Sequence, residues 1–221
     1  MSSRPPAFHG VLTAILTPFN TEGRLILDNI PVLLDFQRAA GMDGVVVCGT
    51  NGEGASLSVE ERKQVLETVL AHRGSFQVIA ATGATSITDA LELTKHAADA
   101  GADASLLLPP FFFKQPAVDG LVSYFETVLD AVDLPAMLYN IPQMTAVPIT
   151  NALLDRLAGH PRLLGIKDSA GHWPRTLELI TNYPGLQIFA GSDYLALQCL
   201  RAGGLGAEGH TAAGFSRWIP V

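Results

Sequence analysis

One lysine stands where the pattern asks for core. The stretch LLGIKDSAG, residues 163–171, is apolar up to Lys167, in a chain with 14 lysines and arginines among 221 residues. A lone lysine at a strand end is ordinarily a surface side chain that snorkels into water. Turned into a pocket of Leu, Ile and aromatic groups it behaves differently, because burial disfavours the ammonium and leaves a neutral amine that attacks ketones to give a Schiff base. Tyr139 closes the run LPAMLYN. It reads either as a core tyrosine with a capped hydroxyl or as a proton relay for a carbinolamine and an aldol oxygen. The third feature is GTNGEG from Gly49, a Gly-rich turn without the Gly-Lys-Ser/Thr of a Walker loop. The backbone N–H groups of Thr50 and Asn51, with the Thr50 hydroxyl, can cradle a carboxylate there.

These residues need a scaffold, and the chain supplies a period. Short β-branched or Leu-rich runs begin at Val11, Gly44, Phe76, Ala104, Leu134, Leu163 and Leu186, with a weak eighth near Gly206. The intervals suit a strand followed by a crossover helix. Between them lie amphipathic stretches with readable ends: Ser58-Val59-Glu60-Glu61 is a capping box, Val65, Leu66, Val69 and Leu70 supply one apolar face, and Gly74 can stop the helix. The next helix runs from Ser86 to Gly101. Several strands are apolar at consecutive positions, as expected when helices cover one face and a filled barrel the other. No GxGxxG follows the first strand, so a (β/α)8 barrel is favoured over an open dinucleotide-binding sheet, with one domain over 1–221. In such a barrel the chemistry sits at the C-terminal ends of the strands. That rim comprises Thr17, Pro18, Gly49 to Glu53, Thr82, Pro109 to Phe113, Tyr139, Asn140, Lys167 and Gly191 to Asp193.

Composition narrows the functions. The net charge of −7 and the absence of any Lys/Arg run argue against nucleic acid. The same acidity repels anionic substrates at long range, so an anion site has to be built locally. No apolar run approaches a membrane span and the N-terminus lacks an apolar signal region, which gives a cytoplasmic protein as the expectation. Cys48 and Cys199 are far apart and read as reduced core residues, and the six histidines show no paired ligand spacing, so no metal is expected. Asp168 should face away from Lys167 as a cap or packing polar group. Phe111-Phe112-Phe113 reads as intersubunit or core packing.

Taken in order, LTPF, GTNGE, PPFFF, LYNIP, GIKDSAG and AGSD resemble the dihydrodipicolinate synthase and N-acetylneuraminate lyase superfamily of class I aldolases, from about Gly10 to Gly206. The resemblance implies a TIM barrel in which Lys167 forms a Schiff base with pyruvate or a related 2-keto acid. Tyr139 would relay protons with Thr50 beside it, Thr50 and Asn51 would bind the carboxylate, and Gly191 to Asp193 would border the second substrate. It also implies a homotetramer of tight dimers and no metal or organic cofactor.

Three departures bear on the substrate. The synthases carry an arginine five residues after the tyrosine to hold the carboxylate of aspartate semialdehyde, and here that position is Met144. They also carry a tyrosine in the loop after strand four that crosses to the neighbouring subunit, where PPFFF offers no hydroxyl. Both departures favour an aldolase or lyase acting on a 2-keto-3-deoxy sugar acid or a 4-hydroxy-2-oxoglutarate-like substrate, with the synthase itself as the alternative. Third, the chain stops early, so an eighth helix and a helical C-terminal extension are expected to be missing. Glu208 falls where an aliphatic residue belongs, and its carboxylate beside Lys167 would hold the amine charged. A truncated, catalytically silent barrel is therefore the remaining alternative.

Overall fold

A computed structural model describes residue 8 and residues 10–209. Eight strands form one closed, parallel barrel in sequential order. They are β1 (Gly10–Ala14), β2 (Gly44–Val47), β3 (Gln77–Ala81), β4 (Ala104–Leu107), β5 (Ala136–Asn140), β6 (Leu163–Asp168), β7 (Gln187–Ala190) and β8 (Gly206–Gly209). β8 closes on β1, with Gly10 opposite Gly206 and Leu12 opposite Glu208. All eight lie in the runs read from the sequence.

The helices α1 (Ile30–Ala39), α2 (Val59–Ala71), α3 (Ile87–Ala100) and α4 (Val118–Ala131) follow β1 to β4. A short α5 (Pro142–Thr145) and α6 (Asn151–Leu157) follow β5, then α7 (Trp173–Asn182) follows β6 and α8 (Ala196–Arg201) follows β7. The one-turn α5 has no counterpart in the sequence reading, because Pro142 starts a helix too short to show periodicity. Among the described residues no helix follows β8.

The alternation of the strands sorts the core into layers. Leu12, Val46, Ile79, Leu106, Met137 and Phe189 fill the barrel, whereas Val45, Val78, Leu138 and Ile166 pack outward against the helices. Both strand faces are buried, which explains the consecutive apolar residues. At β5 and β6 the register places Tyr139 opposite Lys167 and Asn140 opposite Asp168, with a shift lower down between Ala136 and Met137. Just above that shift Gly165 is forced: a Cβ there would stand 2.0 Å from the carbonyl oxygen of Gln187.

The helix ends follow their chemistry. At α2 the Ser58 side chain accepts from the Glu61 N–H, while the Glu61 carboxylate accepts from the Ser58 N–H, the reciprocal capping box expected. Gly101 ends α3 in the left-handed conformation at φ 91°. Gly74 also adopts a left-handed φ, but α2 already ends at Ala71 with His72 as its cap, so Gly74 turns the chain into β3 instead of stopping the helix.

Two substitutions test this account. Ser58→Ala removes one reciprocal cap and is expected to lower stability by about 1 kcal/mol in denaturant unfolding. Gly165→Ala pushes a methyl group into the β7 backbone and should cost about 1–3 kcal/mol, read as a lower melting temperature.

Candidate active site

β5 and β6 carry the central pair. Period-two alternation turns Tyr139 and Lys167 inward at the C-terminal ends of adjacent strands. Lys167 is only 2 % exposed, and its Nζ stands over the Tyr139 ring, 4.6 Å from the centroid. That distance is within the range in which an ammonium is attracted to the negative face of an aromatic ring. The phenol oxygen of Tyr139 lies 3.3 Å from Thr50 Oγ1, so Lys167, Tyr139 and Thr50 come together although 117 residues separate the first from the last.

The β2–α2 loop presents Thr50. Its backbone is bent by left-handed residues at Cys48 (φ 56°) and Glu53 (φ 54°). It is closed by Glu53 N–H donating to Thr50 O and Gly54 N–H donating to Gly49 O, each at 3.1 Å. The buried Thr17 hydroxyl at the end of β1 donates to Gly52 O at 2.6 Å and pins the loop to the rim. Thr50 is therefore held by a loop with few remaining freedoms. Asn51 is half-buried in the same turn.

A cavity of about 450 Å³ opens beside this loop, lined by Thr50, Tyr139, Arg62, Phe111, Ile141 and Met144 among others. It is large enough for a small organic acid and its partner. Gly191 and Asp193 sit at the end of β7 and are not part of this lining; Gly191 is buried against Ser169, whose Oγ would stand 1.8 Å from a Cβ at 191.

Arg62 is the residue that sequence reasoning missed. It lies on the buried face of α2 with Val65 and Leu66, and its guanidinium donates to Ala81 O at 2.6 Å and to Gly83 O at 3.3 Å. Burial depresses its proton affinity, with partial compensation from nearby groups. The arginine thus caps the open carbonyls at the end of β3 and forms one wall of the cavity. Its signal was present in the sequence as a charge on an apolar helical face. Cys48, also on the lining, has its thiol pushed up to about 12 by burial, which removes it as a thiolate nucleophile.

Met144 on α5 is 65 % exposed and lines the cavity without contributing a charge. Of the two expectations for the phenylalanine loop, core and intersubunit packing, the core one fails for Phe112 and Phe113, which are 72 % and 80 % exposed in this single chain and stack edge to face at 5.1 Å, while Phe111 reaches the cavity. Lys114 donates to Phe111 O and, at 3.1 Å, to Thr145 O, which ties this loop to α5. Asp168 faces outward, as expected, fully buried. The expectation for the Glu208 carboxylate lies outside the described residues, since only its backbone in β8 is described. Among the described residues no group of three or more His, Cys, Asp or Glu is placed to hold a metal, and no helix is long and apolar enough to cross a membrane.

Comparison with known proteins agrees with this fold. An uncharacterized DapA-like lyase from Chloroflexus aurantiacus is 45% identical over 203 residues, covering 90% of this chain and 68% of that protein. A 4-hydroxy-tetrahydrodipicolinate synthase from Nitrosomonas europaea is 40% identical over 207 residues, 93% of this chain and 70% of that one. The crystal structure of the dihydrodipicolinate synthase from Acinetobacter baumannii complexed with pyruvate is similar with a TM-score of 0.89 at 36% identity, over 93% of this chain and 71% of that chain. Residues 7–216 match the dihydrodipicolinate synthetase family as a whole. With a closed barrel, a buried lysine and tyrosine on adjacent strand ends, and this match over nearly its full length, the chain belongs to the dihydrodipicolinate synthetase family and is a lyase.

Proposed function

We propose that the chain, as one barrel domain, is a class I aldolase or lyase that forms a Schiff base between Lys167 and pyruvate or a related 2-keto acid. The observation that carries this reading is the buried Lys167 amine against the ring of Tyr139, whose hydroxyl meets Thr50. The amine attacks the keto carbon to give a carbinolamine. Loss of its hydroxyl as water needs a proton, which the Tyr139 phenol delivers and regains through the Thr50 hydroxyl. With an aldol substrate, the imine accepts the electron pair of the breaking carbon–carbon bond, Tyr139 takes the proton of the aldol hydroxyl, and an aldehyde leaves. The resulting enamine is protonated at carbon and hydrolysed, which frees pyruvate and Lys167. The imine is the electron sink throughout, so neither a metal nor an organic cofactor enters the scheme.

Thr50 and Asn51 would hold the 2-keto acid carboxylate through the β2–α2 turn, where the acidic chain needs a local anion site. Gly191 and Asp193, at the end of the strand next to β6, would border the second substrate. The A. baumannii synthase, solved with pyruvate, supports the choice of keto acid. For the aldehyde half, the uncharged Met144 on the cavity wall favours a 2-keto-3-deoxy sugar acid or a 4-hydroxy-2-oxoglutarate-like substrate. A second reading, the synthase that condenses pyruvate with aspartate semialdehyde, is favoured by the identity to the N. europaea enzyme. The exposed Phe112 and Phe113 fit burial in a homo-oligomer, a tetramer of tight dimers, and the cytoplasm is the proposed location.

Borohydride reduction in the presence of pyruvate is expected to leave a stable adduct on Lys167, located by peptide mass mapping; a folded sample without it sinks the reading. Tyr139→Phe should still trap pyruvate slowly while kcat falls by about 10²- to 10⁴-fold. Met144→Arg supplies charge-assisted bonds worth about 1.5–3 kcal/mol each. It should therefore raise kcat/KM for aspartate semialdehyde tenfold or more relative to a keto-deoxy sugar acid. If the wild-type chain already prefers the semialdehyde, the second reading replaces the first.

A further inference from the structure

Behind the inward pair lies an outward one. Asn140 and Asp168 stand opposite each other in the same β5–β6 ladder, both buried. Asn140 Nδ2 donates to Asp168 Oδ1 at 2.8 Å, and Asn140 Oδ1 accepts from the Ile149 N–H at 3.0 Å. The other carboxylate oxygen, Asp168 Oδ2, accepts from the Thr176 hydroxyl of α7 at 2.7 Å, and Oδ1 also takes the Ala170 N–H at 3.3 Å. The Asp168 carbonyl accepts from Gly191 N–H at 2.8 Å, and the Asn140 carbonyl from Ser169 N–H at 2.8 Å. Five segments meet at these two residues. Apolar residues of similar shape would leave the Ile149 and Ala170 N–H groups and the Thr176 hydroxyl without these acceptors, so the pair ties surrounding segments to the ladder.

Register gives them a purpose. The β5–β6 pairing shifts between Ala136 and Met137, only a few residues below the reactive pair. The irregularity marks a change of register within the ladder, and a slip of one residue above it would exchange the two faces of the strand. Here that slip would turn Lys167 toward the helices and Asp168 into the barrel. It would also strip Asp168 of donors that come from β5, α7 and its own turn, leaving a buried carboxylate unsatisfied. We infer that the Asn140–Asp168 hydrogen bond is a register lock that holds Tyr139 and Lys167 facing inward and side by side. Both are positioning residues, acting through the strand pair and not on the substrate. The inference rests on the reading of Lys167 as the Schiff-base lysine.

Near-isosteric exchanges test it with little risk to folding. Asn140→Asp sets two carboxylates at the present 2.8 Å hydrogen-bonding distance, where they repel until one takes a proton. The rate of borohydride trapping at Lys167, and kcat, should fall by about 100-fold, as expected for a displacement on the order of 1 Å, with little change in KM. Relative to wild type the loss should shrink as pH is lowered, a dependence that a merely structural defect does not produce. Asp168→Asn keeps an acceptor for Asn140 and should stay within about threefold of wild type. The double exchange Asn140→Asp with Asp168→Asn reverses donor and acceptor at the loss of the Ala170 N–H acceptor, and should restore the rate to within about tenfold of wild type.

Trapping by Asn140→Asp at the wild-type rate overturns the lock, as does a folded double variant no faster than Asn140→Asp. If Asn140→Asp does not fold, the double variant alone decides: trapping within about tenfold of wild type supports the lock and a hundredfold loss removes it. A wild-type chain that gives no adduct instead overturns the Schiff-base reading itself, and the inference falls with it.

Discussion

Parallel pairing of β5 with β6 is the constraint on which the site depends. Hydrogen bonds along that ladder bring Tyr139 level with Lys167, and the pleat decides that both point to the barrel axis. No tertiary contact between the two side chains has to be found during folding once the ladder has formed. The next residues along, Asn140 and Asp168, take the opposite face by the same rule and become the polar link to α7 and to the segment after α5. One geometric alternation thus produces a reactive face and a supporting face from two consecutive rungs of the ladder. The barrel then closes through β8 on β1 and buries the reactive face from below with Met137, Phe189 and their neighbours.

Much of this was legible in the sequence because it follows from local rules. Strand positions followed from Leu-, Val- and Ile-rich runs at regular intervals, and the capping box at Ser58 was written in four residues. Lys167 was conspicuous for the reason that made it informative, a cation in an apolar run. Asp168 followed from parity alone. What local rules could not supply was depth. Arg62 looked like one more charge on a helix that also carries Glu60, Glu61 and Lys63, and only its position over the end of β3 makes it part of the cavity wall. The phenylalanine loop suggested core or intersubunit packing because phenylalanine is usually covered, and within one chain Phe112 and Phe113 extend beyond the strand ends and are left exposed.

The cavity also lies to one side. Thr50, Tyr139 and Met144 line it while Gly191 and Asp193, at the end of β7, do not, so the rim residues that share a level around the barrel do not share one pocket. Rim membership follows from strand order, which sequence periodicity reveals. Pocket membership depends on how far each loop leans, which is set by contacts such as Thr17 with Gly52 that join residues far apart in the chain.

The lysine bond at the rim carries an implication for how such a site diversifies. Lys114 holds the carbonyl groups of Phe111 and Thr145 together, so the loop after β4 and the short helix bearing Met144 are stapled into one mechanical unit. Two of the three places that the resemblance singles out as departures therefore share one support. Because both bonds are accepted by main-chain carbonyls, the side chains at 111 and 144 can change while Lys114 keeps the loop and α5 in the same relative placement, so the shape of the wall and its chemistry are separable.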